Sequence, residues 1–160
     1  MPDMLVKLYN LPEDETAASY KERTGVTIRR ALGPEMIVIG EWVESHFGKG
    51  WRSECEVAIA RQPVSCYIAV KDDKLLGFAC YDATCKGFFG PTGVAEDARG
   101  LGIGKQLFLE TLRAMRENGY GYAVIGGAGP VAFYEKVVGA TVIEGSMPGI
   151  YEGMLRSALS

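Results

Sequence analysis

Glycine recurs at every second position through Arg99-Gly100-Leu101-Gly102-Ile103-Gly104-Lys105, and the clearest amphipathic helix of the chain begins inside that run. Over Leu101–Asn118, residues Gly104, Phe108, Leu112 and Met115 fall along one face. Gln106, Glu110, Arg113 and Glu117 fall along the other. Gly119 supplies the stop. Upstream, Phe88–Val94 reads as a strand, so the glycines sit where a strand hands over to a helix. The first turn of a helix has four unpaired N–H groups and a partial positive charge. Glycines let a diphosphate come against that backbone without a Cβ in the way, and Arg99 and Lys105 add formal charge. The alternative is a glycine-rich turn that serves geometry alone.

Around that junction the period changes twice. Met4–Tyr9 reads as a strand, Leu11–Thr24 as a connecting segment or short helix, and Thr27–Ala31 as a second strand. Gly33-Pro34-Glu35 opens a helix with proline at its first position. Ile39, Trp42, Val43 and His46 have the spacing of one buried face, and Gly48 and Gly50 end the helix. Ser53-x-x-Glu56 has the form of a capping box for a helix that stops before Pro63. Ser65–Val70, Leu75–Asp82 and Phe88–Val94, joined by tight turns, read as an antiparallel meander. Beyond the main helix, Tyr122–Ile125 reads as a strand and Pro130–Val137 as a short helix. Thr141–Ile143 and Ile150–Leu155 read as closing strands of a C-terminal hairpin. A meander, a βαβ crossover and a hairpin make a mixed α/β sheet with helices packed on it.

The 160 residues suit one domain, 1–160, with an N-terminal segment 1–25 ahead of a core at 26–155. A net charge of -3 argues against a nucleic-acid partner. No run approaches the roughly 18 apolar residues of a membrane span, and Met1-Pro2-Asp3-Met4 does not read as a signal peptide. Cys55, Cys66, Cys80 and Cys85 include no C-x-x-C pair, and His46 is the only histidine. No zinc site or other metal is expected, and a reducing cytoplasm is the plain location.

Two phosphate motifs fail on the first glycine cluster. A Walker loop needs Gly where Arg99 stands and Ser/Thr where Gln106 stands; the dinucleotide pattern needs Gly where Lys105 stands. A second cluster, Gly126-Gly127-Ala128-Gly129-Pro130-Val131-Ala132, does contain Gly-x-Gly-x-x-Ala with Glu144 beyond it. A dinucleotide fold would place that acid on a ribose. Only eleven residues separate Ala132 from Glu144, which is short for a crossover helix and the strand after it.

What fits Arg99–Gly104 is Arg/Gln-x-x-Gly-x-Gly/Ala, and over residues 26–155 the chain resembles the GNAT N-acetyltransferase superfamily. Pro130-x-x-Phe133-Tyr134-Glu135-Lys136 resembles that family's Ala-x-x-x-Tyr-Glu-Lys segment. Gly127 stands where an Asn is common, and Val137-Val138 adds one residue before Gly139. The resemblance implies acetyl-CoA as co-substrate and direct transfer to a primary amine of a small molecule or peptide. It implies a cofactor site at Thr92, Gly93, Val94, Arg99, Gly100, Leu101, Gly102, Ile103, Gly104, Lys105, Gly127, Pro130 and Phe133. By the same carry-over the Val94 N–H polarises the thioester carbonyl and Tyr134 is the acid for the departing thiolate. Gly90-Pro91-Thr92 marks the place where the fourth strand of that fold splays from the fifth. The resemblance also implies a homodimer. Glu54, Glu56 and Asp82 remain unranked as a base. Glu41, Glu44, Glu54, Glu56, Glu144 and Glu152 favour a cationic acceptor. A CoA-binding module without turnover is the alternative from another class.

Overall fold

A computed structural model describes residues 1–156. Seven strands form one mixed sheet: β1 Met4–Lys7, β2 Thr27–Arg30, β3 Cys66–Lys71, β4 Lys74–Tyr81, β5 Phe88–Val94, β6 Tyr122–Ile125 and β7 Thr141–Val142. The helices are α1 Ala17–Thr24, α2 Met36–Phe47, α3 Lys49–Ala60, α4 Ile103–Glu117 and α5 Val131–Val138. The sheet order is β2-β3-β4-β5-β6-β1-β7, and its pairs are antiparallel except β5 with β6. The β3–β4–β5 meander and the parallel β5–α4–β6 crossover are both present.

Strand alternation divides the core in two. Cys66, Ile68, Phe78 and Cys80 point to one face, where they meet Ile39 and Val43 of α2 and Cys55, Ala58 and Ile59 of α3. Ala69, Ala79, Tyr81 and Phe89 point to the other, where Leu107, Phe108, Leu112 and Met115 of α4 cover them. The apolar stripe read from the α4 sequence is therefore the stripe that packs.

The chain ends differently from expectation. Ile150–Leu155 forms no strand: residues Gly149–Tyr151 make a single 3-10 turn, and 152–156 are irregular. Gly145, Gly149 and Gly153 all take positive φ, which breaks an extended run, and Ile150 and Leu155 lie exposed. No C-terminal hairpin closes the sheet among the described residues. Instead β7 pairs with β1, and β1 also pairs with β6, so the start of the chain is inserted between the last two strands.

Smaller differences have local causes. Met4–Tyr9 is a strand only to Lys7, then a 3-10 turn. Gly33–Glu35 is likewise a 3-10 turn ahead of α2, its Glu35 carboxylate accepting the Leu32 N–H at 2.8 Å and pairing with Arg29 at 2.7 Å. Gly48, at φ 100°, ends α2 and α3 begins at once. Gly50 and Ser53 are therefore inside α3, and Ser53 caps nothing. His46 is exposed and stacks on Trp42 with ring centroids 4.2 Å apart. Gln106 is buried because the Asp14–Glu15 segment crosses α4 there, and its amide donates to the Glu15 carbonyl at 2.9 Å.

Candidate active site

β5 is held on both sides only at its start. Its parallel pairing with β6 covers Phe88 and Phe89, while its antiparallel pairing with β4 runs on to Val94. The Ala95 N–H donates to the Leu76 carbonyl at 2.9 Å. Alternation in an antiparallel ladder then turns the Val94 and Thr92 N–H groups away from β4, toward the side that β6 has left. Pro91, which cannot donate, lies within this stretch.

The N-terminus of α4 opens onto the same gap. Gly100 and Gly102 take φ values of 97° and 74°, the left-handed region where a Cβ is costly. A Cβ at either would meet no protein atom, so space lies in front of both. Gly102 makes no side-chain cap, and the first closed turn is Gln106 N–H to Gly102 O at 3.0 Å. The amides of Ile103, Gly104 and Lys105 thus precede the helical ladder. Tyr20, buried beneath the loop, fixes it by donating its hydroxyl to Leu101 O at 2.8 Å.

These parts converge. Thr92, Gly93, Val94, Arg99, Gly100, Gly102, Ile103, Gly104, Lys105, Pro130 and Phe133 line one open cavity of about 590 Å³, together with Phe47 and Ala98. Arg99 makes no ion pair among the described residues, while Lys105 is paired with Asp14 at 2.9 Å. The fit to a long phosphate-bearing ligand rests on three observations: free amides at a helix N-terminus, strand amides without partners, and glycine positions with open space in front.

Two residues of the expected set stand outside the lining. Leu101 is turned outward and contributes its carbonyl to Tyr20. Gly127 donates its N–H to Asp3 Oδ1 at 2.8 Å, and the next amide, Ala128, donates to Pro2 O at 2.8 Å. The second glycine cluster is therefore closed by the chain start, and its two central amides are spent. That removes the backbone donors a dinucleotide pyrophosphate would need.

Tyr134 is 6 % exposed and packs against Phe108 and its neighbour Phe133, with centroids 5.1 and 5.4 Å away. It does not line the cavity itself, although Phe133 does. Its hydroxyl has no hydrogen-bond partner among the described residues, and burial pushes the phenol above its usual value of 10.0. The three carboxylates considered as bases are all engaged. Asp82 accepts from the Tyr120 hydroxyl at 2.9 Å and from the Gly87 N–H at 2.8 Å, Glu54 from Thr84, and Glu56 pairs with Arg52 at 3.0 Å.

Phe47 and Ala98 are the two lining residues that sequence reasoning passed over. The Phe47 ring lies against Gly93 so closely that a Cβ on that glycine would fall inside it. Phe47 continues the Ile39–Val43 stripe by one more helical turn, so its spacing reads as core, and only the fold brings its ring onto the strand glycine.

By fold and site geometry this is an α/β protein with an open helix N-terminus at a gap between parallel strands. Residues 35–140 match the acetyltransferase (GNAT) family, and the chain belongs to that family. No curated protein matches it. Solved structures share the fold at low identity. A GCN5-related glucosamine N-acetyltransferase region of a fungal multi-domain GH3 beta-N-acetylglucosaminidase superposes with TM-score 0.71 at 13 % identity, over 89 % of this chain and 19 % of that one. A GCN5-related N-acetyltransferase from Sphaerobacter thermophilus gives 0.68 at 22 %, over 89 % and 48 %. A GNAT acetyltransferase from Brucella melitensis, in complex with acetyl-CoA, gives 0.51 at 22 %, over 69 % and 80 %. The chain spans less than half the length of the first two. Among the described residues no helix is long and apolar enough to cross a membrane.

Proposed function

We propose that the chain is an acetyl-CoA-dependent N-acetyltransferase acting directly on a primary amine of a small molecule or peptide. The observation that carries the reading is the convergence of unpartnered amides from β5 and α4 on one cavity beside Arg99. Acetyl-CoA, when bound, supplies an activated acetyl thioester. The α4 amides and Arg99 hold its pyrophosphate, where helix dipole and formal charge add. The Val94 N–H, fixed by the β4 ladder and facing the gap, is placed to polarise a carbonyl lying along β5. Phe47 and Phe133 wall the cavity with apolar rings. Tyr134, kept protonated by burial, is the donor to the leaving sulfur. An alkyl amine of pKa about 10.4 must shed a proton to attack, which the chain passes to solvent or to a carboxylate on the β4 side. All four cysteines are free thiols, which suits a cytoplasmic location.

Saturating acetyl-CoA, at about 100 times its dissociation constant, should add about 2.7 kcal/mol of stability and raise the melting temperature by several degrees. NAD and FAD should not. With a mixed panel of primary amines, acetyl-CoA should release its thiol only when protein is present. Stabilisation without thiol release identifies a CoA-binding module, and stabilisation by NAD or FAD alone overturns the reading.

A further inference from the structure

Three cysteines that the sequence scatters meet in the core behind β3 and β4. Cys55 comes from α3, Cys66 from β3 and Cys80 from β4, where Cys66 and Cys80 are direct cross-strand partners. Their sulfurs all lie within 4.8 Å of one another, with Cys55 and Cys66 at 3.8 Å, and all three residues are 0 % exposed. They are not disulfide-bonded, and the proposed acetyl transfer uses none of them.

We propose that Cys55, Cys66 and Cys80 form a three-sulfur binding site for a trivalent thiophilic hydroxide of the arsenite type. Soft thiol ligands select soft ions, and charge then selects among those. Zinc prefers four ligands, and the cluster holds no fourth side-chain donor of the usual kinds among the described residues. Zinc on three thiolates would leave one net negative charge, and monovalent copper two, in an apolar core where unpaired charge is costly. A trivalent centre on three thiolates is neutral and meets no such penalty.

The loading step balances without an oxidant. Arsenite, As(OH)3, exchanges its three hydroxyls for three cysteine sulfurs. Three As–O and three S–H bonds break, three As–S and three O–H bonds form, and three waters leave. Each thiol brings the proton that its departing hydroxyl takes away.

The test uses the full chain, reduced with a phosphine and mixed with sodium arsenite, its folded state verified by circular dichroism. Native mass spectrometry should show one added arsenic less three hydrogens. X-ray absorption should show three sulfur neighbours and no oxygen. Cys55→Ala, Cys66→Ala and Cys80→Ala should each weaken binding at least tenfold, and Cys85→Ala should leave it unchanged. Folded wild type that takes up no arsenic, or bound arsenic that keeps an oxygen neighbour, overturns the proposal. So does loss of binding in Cys85→Ala. The wild-type absorption spectrum decides the matter even where an alanine variant does not fold.

Discussion

The chain has two glycine clusters at strand-to-helix turns, and they differ in where their backbone amides go. In Gly100–Gly104 the amides at the start of α4 face open space, and the loop beneath is braced from behind by Tyr20. In Gly126–Gly129 the Asp3 carboxylate and the Pro2 carbonyl take the amides of Gly127 and Ala128. Phe88 and Tyr151 crowd Gly126 so that no Cβ fits. One cluster is a cradle and the other a joint. The motif is nearly the same in both; what decides its meaning is whether the chain supplies its own acceptors.

The sharpest way to break this contrast is to put equal insults into both clusters. Gly102→Val forces a β-branched residue to φ 74° and fills the space in front of the α4 amides. Isothermal titration should show acetyl-CoA affinity falling by about 100-fold or more, the range of a lost charge-assisted anion site at two or three hydrogen bonds. Wild-type affinity in that variant would mean that the cradle holds something else.

Tyr134→Phe, on the helix that leaves the second cluster, should lower kcat about 100-fold while the Kd for acetyl-CoA stays near wild type. Since burial raises the phenol above 10.0, the acid stays protonated at neutral pH. A decline in kcat from its ionisation should have its midpoint above pH 10 and should be absent in the variant. An unchanged kcat would make Tyr134 a packing residue.

Asp3→Ala removes the acceptor of the half-buried Gly127 amide and should cost about 1 kcal/mol in denaturant unfolding, with acetyl-CoA affinity nearly unchanged. Asp3→Asn, which keeps an acceptor, should recover most of the loss. Should Asp3→Ala weaken acetyl-CoA as much as Gly102→Val does, the second cluster is no mere joint. The smallest effect belongs to Tyr20→Phe. Removing one hydrogen bond worth about 0.5–1.5 kcal/mol from the loop should weaken acetyl-CoA about two- to tenfold, without the loss of kcat seen in Tyr134→Phe.

How much of this could be read from the chain follows from the range of the forces involved. The meander, the α4 stripe and the glycine turn before it are local, set by period and by residue type, and they stood where the sequence placed them. Thr92–Val94 and the glycines that open α4 line one cavity because one short loop joins β5 to α4. What was not legible is long-range. Nothing near residue 4 announces that it pairs with Ile125, and nothing near Gly127 says that Asp3 will take its amide. Ile150–Leu155 has strand-like residue types, but the positive-φ glycines around it and the edge already filled by β1 left no pairing to make. The cysteine spacing excluded a local chelate, yet a helix and two strands brought three sulfurs together.

The place of β1 also bears on time. Both its neighbours, β6 and β7, lie beyond residue 120, so β1 has no partner until the ribosome has made those strands. At about 5–20 residues per second, ribosomal synthesis leaves it waiting on the order of ten seconds. During that wait the β3–β4–β5 meander and α4, all close in sequence, have what they need to assemble, while Met4, Val6 and Leu8 stay in water with nothing to bury them. Closure of this sheet is thus the last of these steps, and it waits on the strands made long after β1.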